Sequence, residues 1–81
     1  MNDIEKEIER LTEALDAVKD SAERAELIFR RGRLRWRLED RGGAMGDYAE
    51  AASLDPTSAA PQALRQAQEI MAFFNKDLYN P

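Results

Sequence analysis

Three short breaks divide this chain into four segments whose apolar residues recur at helical spacing, and this punctuation limits the fold more than any other feature. The breaks are Lys19-Asp20-Ser21, Glu39-Asp40-Arg41-Gly42-Gly43 and Leu54-Asp55-Pro56-Thr57. Connections this short turn each helix back against the one before it. No stretch alternates with the period of two that a half-buried strand needs. The expected fold class is all-α, about four antiparallel helices joined by short loops.

The first segment runs from about Asp3 to Val18, with Ile4, Ile8, Leu11, Leu15 and Val18 at alternating four- and three-residue steps. The second, about Ala22 to Leu38, places Leu27, Leu34 and Leu38 in one narrow arc, with Ile28 and Gly32 on the arc beside it. A Ser or Asp before it can cap its start. The glycines of the second break are expected to take positive φ beyond the helix end. The third segment, about Gly43 to Ser53, is rich in small residues (Ala44, Gly46, Ala49, Ala51, Ala52), which allow close helix approach. Pro56 disfavours helix at the residue before it. The fourth runs from about Ala59 to Phe74, with Pro61 in its first turn and a core stripe of Ala60, Ala63, Leu64, Ala67, Ile70, Met71 and Phe74. The expected domain is residues 1–74, followed by a tail, 75–81, without periodicity.

Composition narrows the function. At 81 residues, 43% hydrophobic and 35% charged, the chain suits one small helical domain and is too apolar for general disorder. It contains neither Cys nor His. That removes thiolate chemistry, disulfides, the usual general base and the commonest metal ligand. Nor is there a Gly-rich loop after a strand or a nucleophile–base spacing, so no enzyme, cofactor or metal site is expected. The carboxylate pairs Glu5/Glu9 and Glu9/Glu13, four residues apart, read as solvated charge. No apolar run approaches the roughly 20 residues of a membrane span, and Met1 to Glu5 lacks the apolar region of a signal peptide. A soluble, cytoplasmic protein is the default expectation. The net charge of −4 is segregated: residues 1–23 carry eight acids and three bases, 24–41 seven arginines and three acids, and 42–81 five acids and two bases.

Residues 25–58 carry a recognisable pattern. Gly32, Ala44, Tyr48, Ala51 and Leu54-Asp55-Pro56 fall at the spacings of the 34-residue tetratricopeptide repeat. In this respect the chain resembles that family of helix-turn-helix repeats. The departures are Ile28 at the Trp position, Arg31 at the Leu position and Arg35 at the Tyr position; the two arginines are expected to snorkel or to pair with acids on the first helix or with Asp47 and Glu50. The resemblance implies about one and a half repeats plus a capping helix. Gly32 and Ala44 would lie where helices cross, Tyr48 between repeats, and Pro56 at a helix end. Repeats of this kind need neighbours to bury their apolar faces. Self-association into a homodimer is therefore expected, through the stripe of the first helix or through Phe73 and Phe74.

The resemblance implies a protein- or peptide-binding scaffold, or adaptor, whose groove is lined by the first helix of the repeat. On that helix Phe29, Arg30, Arg33, Trp36 and Arg37 share an arc of about 120°, away from the leucine stripe. Arg, Trp and Phe are enriched at binding hot spots, and guanidinium forks match carboxylates. An acidic or C-terminal peptide is the expected ligand, the chain's own Lys76 to Pro81 among the options. Nucleic-acid binding ranks second: Arg30, Arg31, Arg33, Arg35 and Arg37 could meet phosphates while Trp36 or Phe29 stacks a base. A membrane surface ranks lower, because the polar face of the first helix is acidic.

Overall fold

Asn2 starts the first helix. Its side chain accepts the Glu5 N–H at 2.8 Å, and Glu5 Oε1 accepts the Asn2 N–H at 3.1 Å. This reciprocal capping box opens α1 (Asp3–Ala14), which tightens into a single 3-10 turn, Leu15–Ala17. The helix thus stops short of Val18. Arg24 closes the connection: its Nη1 donates to the carbonyls of Leu15 and Val18 at 2.8 and 2.9 Å. Asp20 accepts the Glu23 N–H and caps α2 (Ser21–Arg37). The remaining helices are α3 (Arg41–Leu54) and α4 (Ala60–Tyr79). This computed structural model describes residues 2–79, with side chains from Asn2 to Phe74. Among the described residues all regular structure is helical, and the fold is all-α.

The turn between α2 and α3 differs from its sequence reading. Glu39, not a glycine, takes positive φ (64°). Its N–H donates to the Trp36 carbonyl and that of Asp40 to the Arg35 carbonyl, both at 2.9 Å. This is a Schellman closure with glutamate in the left-handed position. Gly42 and Gly43 already belong to the first turn of α3. A Cβ on Gly43 would displace the exposed Asp40 carboxylate, whose Oδ1 accepts the Gly43 N–H at 3.0 Å. At the other end Asp55 caps α3. It also holds Thr57 in an Asx turn, with the Thr57 N–H at 3.1 Å and its hydroxyl at 2.6 Å from Oδ1. Pro56 thus stands just past the end of α3, as its ring requires. The fourth helix continues past the Phe74 at which its apolar period ends.

Helices pack chiefly in chain order, α1 on α2, α2 on α3, α3 on α4. The Cα atoms span 48 × 33 × 14 Å, a thickness that fits two helix layers at the usual separation of about 8–10 Å. One core cluster joins Leu15, Ala25, Ile28, Ala51 and Ala60; the other joins Ala44, Tyr48 and Ala67, with Phe29, Trp36, Met45, Ala63 and Leu64 against it. The deepest face of α2 is therefore Ala25, Ile28 and Gly32, while Leu27, Leu34 and Leu38 are only half-buried. The leucine arc marks the rim, because alanine-rich α3 approaches so closely that small residues fill the centre. Leu11 on α1 and Leu15 in the 3-10 turn are buried and Ile4 and Ile8 half-buried, so the stripe is mostly spent inside the fold. On α4 the expected stripe fails at its end: Ile70 is 40% exposed and Phe74 68%, beside Phe73 at 73%. Ala60, Ala63, Leu64, Ala67 and Met71 do face the core.

Candidate functional site

Gly32 sets the geometry of the region where the candidate side chains gather. A Cβ on it would stand 2.9 Å from Tyr48 Cε1 and 3.0 Å from Asp47 Cβ, distances that atoms in contact do not tolerate. The bare backbone lets α3 press against α2 and brings Asp47 under Arg31 and Arg35. Asp47, 4% exposed, is the one buried charged residue among those described. Arg31 grips it with Nε at 3.0 Å and Nη2 at 2.8 Å, while Arg35 Nη1 donates to both oxygens at 3.1 Å. Arg31 Nη1 also reaches the Thr12 hydroxyl on α1 at 3.2 Å. The hydrogen bond to Asp47, above all, raises the Arg31 pKa against the opposing effect of burial. Of the partners considered for these arginines, Asp47 takes both. The triad keeps a net charge of +1 and ties α1, α2 and α3 together.

Tyr48 lies one residue on, 6% exposed and wedged where α2, α3 and α4 meet. Its ring packs on Phe29 at 5.5 Å between centroids. Burial raises its pKa above the usual 10.0, with Asp47 adding to the rise and Arg33 opposing it. Tyr48 forms the floor of a groove of about 440 Å³ between α2 and α4. Phe29, Arg33 and Trp36 line one wall, and Gln62, Gln66 and Ile70 the other. Arg33 lies 6.0 Å from the Phe29 ring centre and Arg41 stacks over Trp36 at 4.1 Å. One face of the Trp36 indole is thereby already covered.

A second groove, about 290 Å³, lies on the other side of α2 against α1. Arg30, Arg33 and Arg37 border it, with Leu11, Leu34 and Glu7 completing the lining. The five-residue face on α2 is thus divided: Phe29, Arg33 and Trp36 open toward α4, Arg30, Arg33 and Arg37 toward α1, and Arg33 belongs to both. All three arginines are exposed. Among the described residues, none of them takes part in an ion pair. The basic run of five arginines therefore separates into two that serve Asp47 and three that face water.

Of the residues singled out for the repeat, Gly32, Ala44, Tyr48 and Ala51 are all buried at the helix crossings, and Pro56 is exposed beyond α3. Sequence reasoning missed Tyr48, Gln62, Gln66 and Ile70 as groove residues. Their signal lay only in the pairing of α2 with α4, which no local spacing reveals. The side chains of 75–81, including the proposed tail ligand, lie outside the described residues. Among the described residues no cluster of acids has the arrangement of a metal site, and no helix is long and apolar enough to cross a membrane. Comparison with known proteins gives no match to any family model, curated protein or solved structure.

Proposed function

We propose that this chain is a protein- or peptide-binding scaffold with a tetratricopeptide-like helix arrangement, and that its ligand is an extended segment lying between α2 and α4. The observation that carries this reading is the groove itself: two aromatic rings and a guanidinium from α2, the Tyr48 ring at the base, and two carboxamides from α4. Aromatic faces supply contact area at little entropic cost, and Gln62 and Gln66 offer donors and acceptors to a peptide backbone. The packing of Gly32, Ala44, Tyr48 and Ala51 at the crossings supports the repeat-like arrangement.

Peptide-array binding of the wild type, Phe29→Ala and Gln66→Ala tests it. Both variants should retain the fold by circular dichroism and lose about tenfold or more in affinity for wild-type ligands, as for an interface anchor worth about 1.4 kcal/mol or more. Ligands that bind both variants as they bind the wild type would place recognition elsewhere. The same scaffold is proposed to self-associate through the exposed end of α4. Light scattering of the full chain beside a Phe73→Ser/Phe74→Ser variant is expected to show a dimer split by the substitutions, and a wild-type monomer at high concentration would end that part of the reading.

A further inference from the structure

Arg33 lines both grooves, and its two neighbours on the α1 side, Arg30 and Arg37, make no ion pair among the described residues. The chain as a whole is acidic, at −4. An acidic protein that holds three exposed guanidiniums together has segregated its positive charge on one face of α2. Two further arginines of the same helix, Arg31 and Arg35, are turned inward onto Asp47 and add nothing to the direct contacts of that face. Between the three exposed arginines lie Leu11 and Leu34, and Glu7, engaged by Arg10 at 3.0 Å, borders the groove on the α1 side.

We infer that the partner is a peptide segment that leaves the α2/α4 groove by passing over α2 at Arg33, with an apolar or aromatic side chain seated over Tyr48 and acidic side chains on Arg30, Arg33 and Arg37. This inference rests on the peptide-binding reading and adds the partner's chemistry and orientation. Arg33 is the crossing point. Arg30 and Arg37 are seven residues apart on one helix, about 10 Å at the usual rise. Three exposed guanidiniums spread over that length are best matched by at least two internal acids. A helix is about 10 Å across, and an extended peptide advances about 3.3 Å per residue. The anchor and the first acid are thus about three residues apart.

A nucleic acid is a poorer fit to the same arginines. Phosphates recur along its whole length, whereas the exposed positive charge of this face is limited to three arginines. A peptide can confine its charge to the three arginines and remain neutral elsewhere.

The test is selection of a randomised peptide library, displayed on phage, against the full chain, Arg30→Gln/Arg37→Gln and Phe29→Ala. Both arginines are exposed, so the double variant retains its fold, which circular dichroism checks. Wild-type selections should enrich peptides with an apolar residue and acids about three positions away. Those peptides, synthesised and measured by fluorescence anisotropy, should lose about tenfold or more in affinity on the double variant, and a similar factor between about 0.05 and 0.5 M NaCl. Enrichment of neutral peptides that ignore Arg30→Gln/Arg37→Gln but are lost on Phe29→Ala would overturn the acidic flank and leave the α2/α4 groove reading intact. No enrichment on any form would overturn both. A single-stranded DNA oligonucleotide that binds tighter than the selected peptides, through the same arginines, would replace the peptide by a nucleic acid.

Discussion

Asp47 on α3 and Arg31 on α2 meet through two parallel hydrogen bonds, 2.8 and 3.0 Å long, in a site where the Asp47 side chain is 5% exposed and that of Arg31 13%. Arg35 supplies a second guanidinium from 3.1 Å. The acid has two charged partners and each base has one, so the three positions are unequal. Asp47→Asn leaves two half-buried cations facing each other and is expected to cost about 3 kcal/mol. Arg31→Gln or Arg35→Gln leaves Asp47 still paired and costs less, about 1–2 kcal/mol. Urea denaturation of the three variants checks the order. An Asp47→Asn protein as stable as either arginine variant would show that the carboxylate charge is not what holds the crossing.

Gly32 and Gly46 are both in helices and are expected to respond oppositely to alanine. At Gly46 nothing lies within 4 Å of an added Cβ, so Gly46→Ala gains helix propensity, up to about 1 kcal/mol. At Gly32 the same methyl meets the Tyr48 ring at 2.9 Å and the Asp47 Cβ at 3.0 Å. Overpacking of about 1–3 kcal/mol outweighs the propensity gain there. Thermal unfolding should move up for Gly46→Ala and down for Gly32→Ala. An increase for both would mean that α2 and α3 can separate without loss.

Glu39 stands in the left-handed region at φ 64°, where its Cβ crowds the backbone. Replacing it with glycine removes that strain but adds freedom to the unfolded chain, leaving a net gain of about 0.5–1 kcal/mol. Glu39→Ala, which retains the strain, is the control. Chemical denaturation of both should show stabilisation for glycine alone.

Tyr48 gives the fold a response to alkali. Its pKa is raised by burial above the usual 10.0, so the folded state holds the phenol proton more tightly than the unfolded state does. The stability this contributes is complete below about pH 10 and is lost as the pH rises through the folded value. Melting temperatures followed from pH 8 to 11 should therefore fall at the alkaline end more steeply for the wild type than for Tyr48→Phe, which has no proton to lose. Parallel curves would show that the ring sits in water-like surroundings.

The four helices, and those of their limits set by local signals, were legible. Asp20 caps α2 from the adjacent position, and Pro56 marks the end of α3 from two residues beyond it. What escaped was decided by distant partners. For Arg31 and Arg35 the sequence left several partners open, and only the folded approach of α3 selects Asp47, 16 and 12 residues away. The leucine arc outweighs Ala25 and Gly32 in hydrophobicity, yet proximity to α3 buries the small residues deeper. Gly42 and Gly43 looked like the natural left-handed residues, but the hydrogen bonds of the turn placed Glu39 there instead. The division of the arginine face follows from the same cause: a helical wheel shows one arc, and only the positions of α1 and α4 reveal that it borders two grooves.

The packing of each helix mainly on its neighbours in the chain also determines how this protein acquires and loses its structure. Most contacts close loops of a single hairpin, and topologies this local fold in microseconds to milliseconds. Opening does not require the whole molecule to unravel together. Either outer helix can detach while α2 and α3, joined by the Gly32 crossing and the Asp47 triad, remain docked. Amide protons are accordingly expected to be held longest in the middle of α2 and α3, with the groove against α4 opening at a lower free energy than the hairpin beside it. On the peptide-binding reading proposed above, occupancy of that groove and the population of attached α4 would be two readings of one equilibrium.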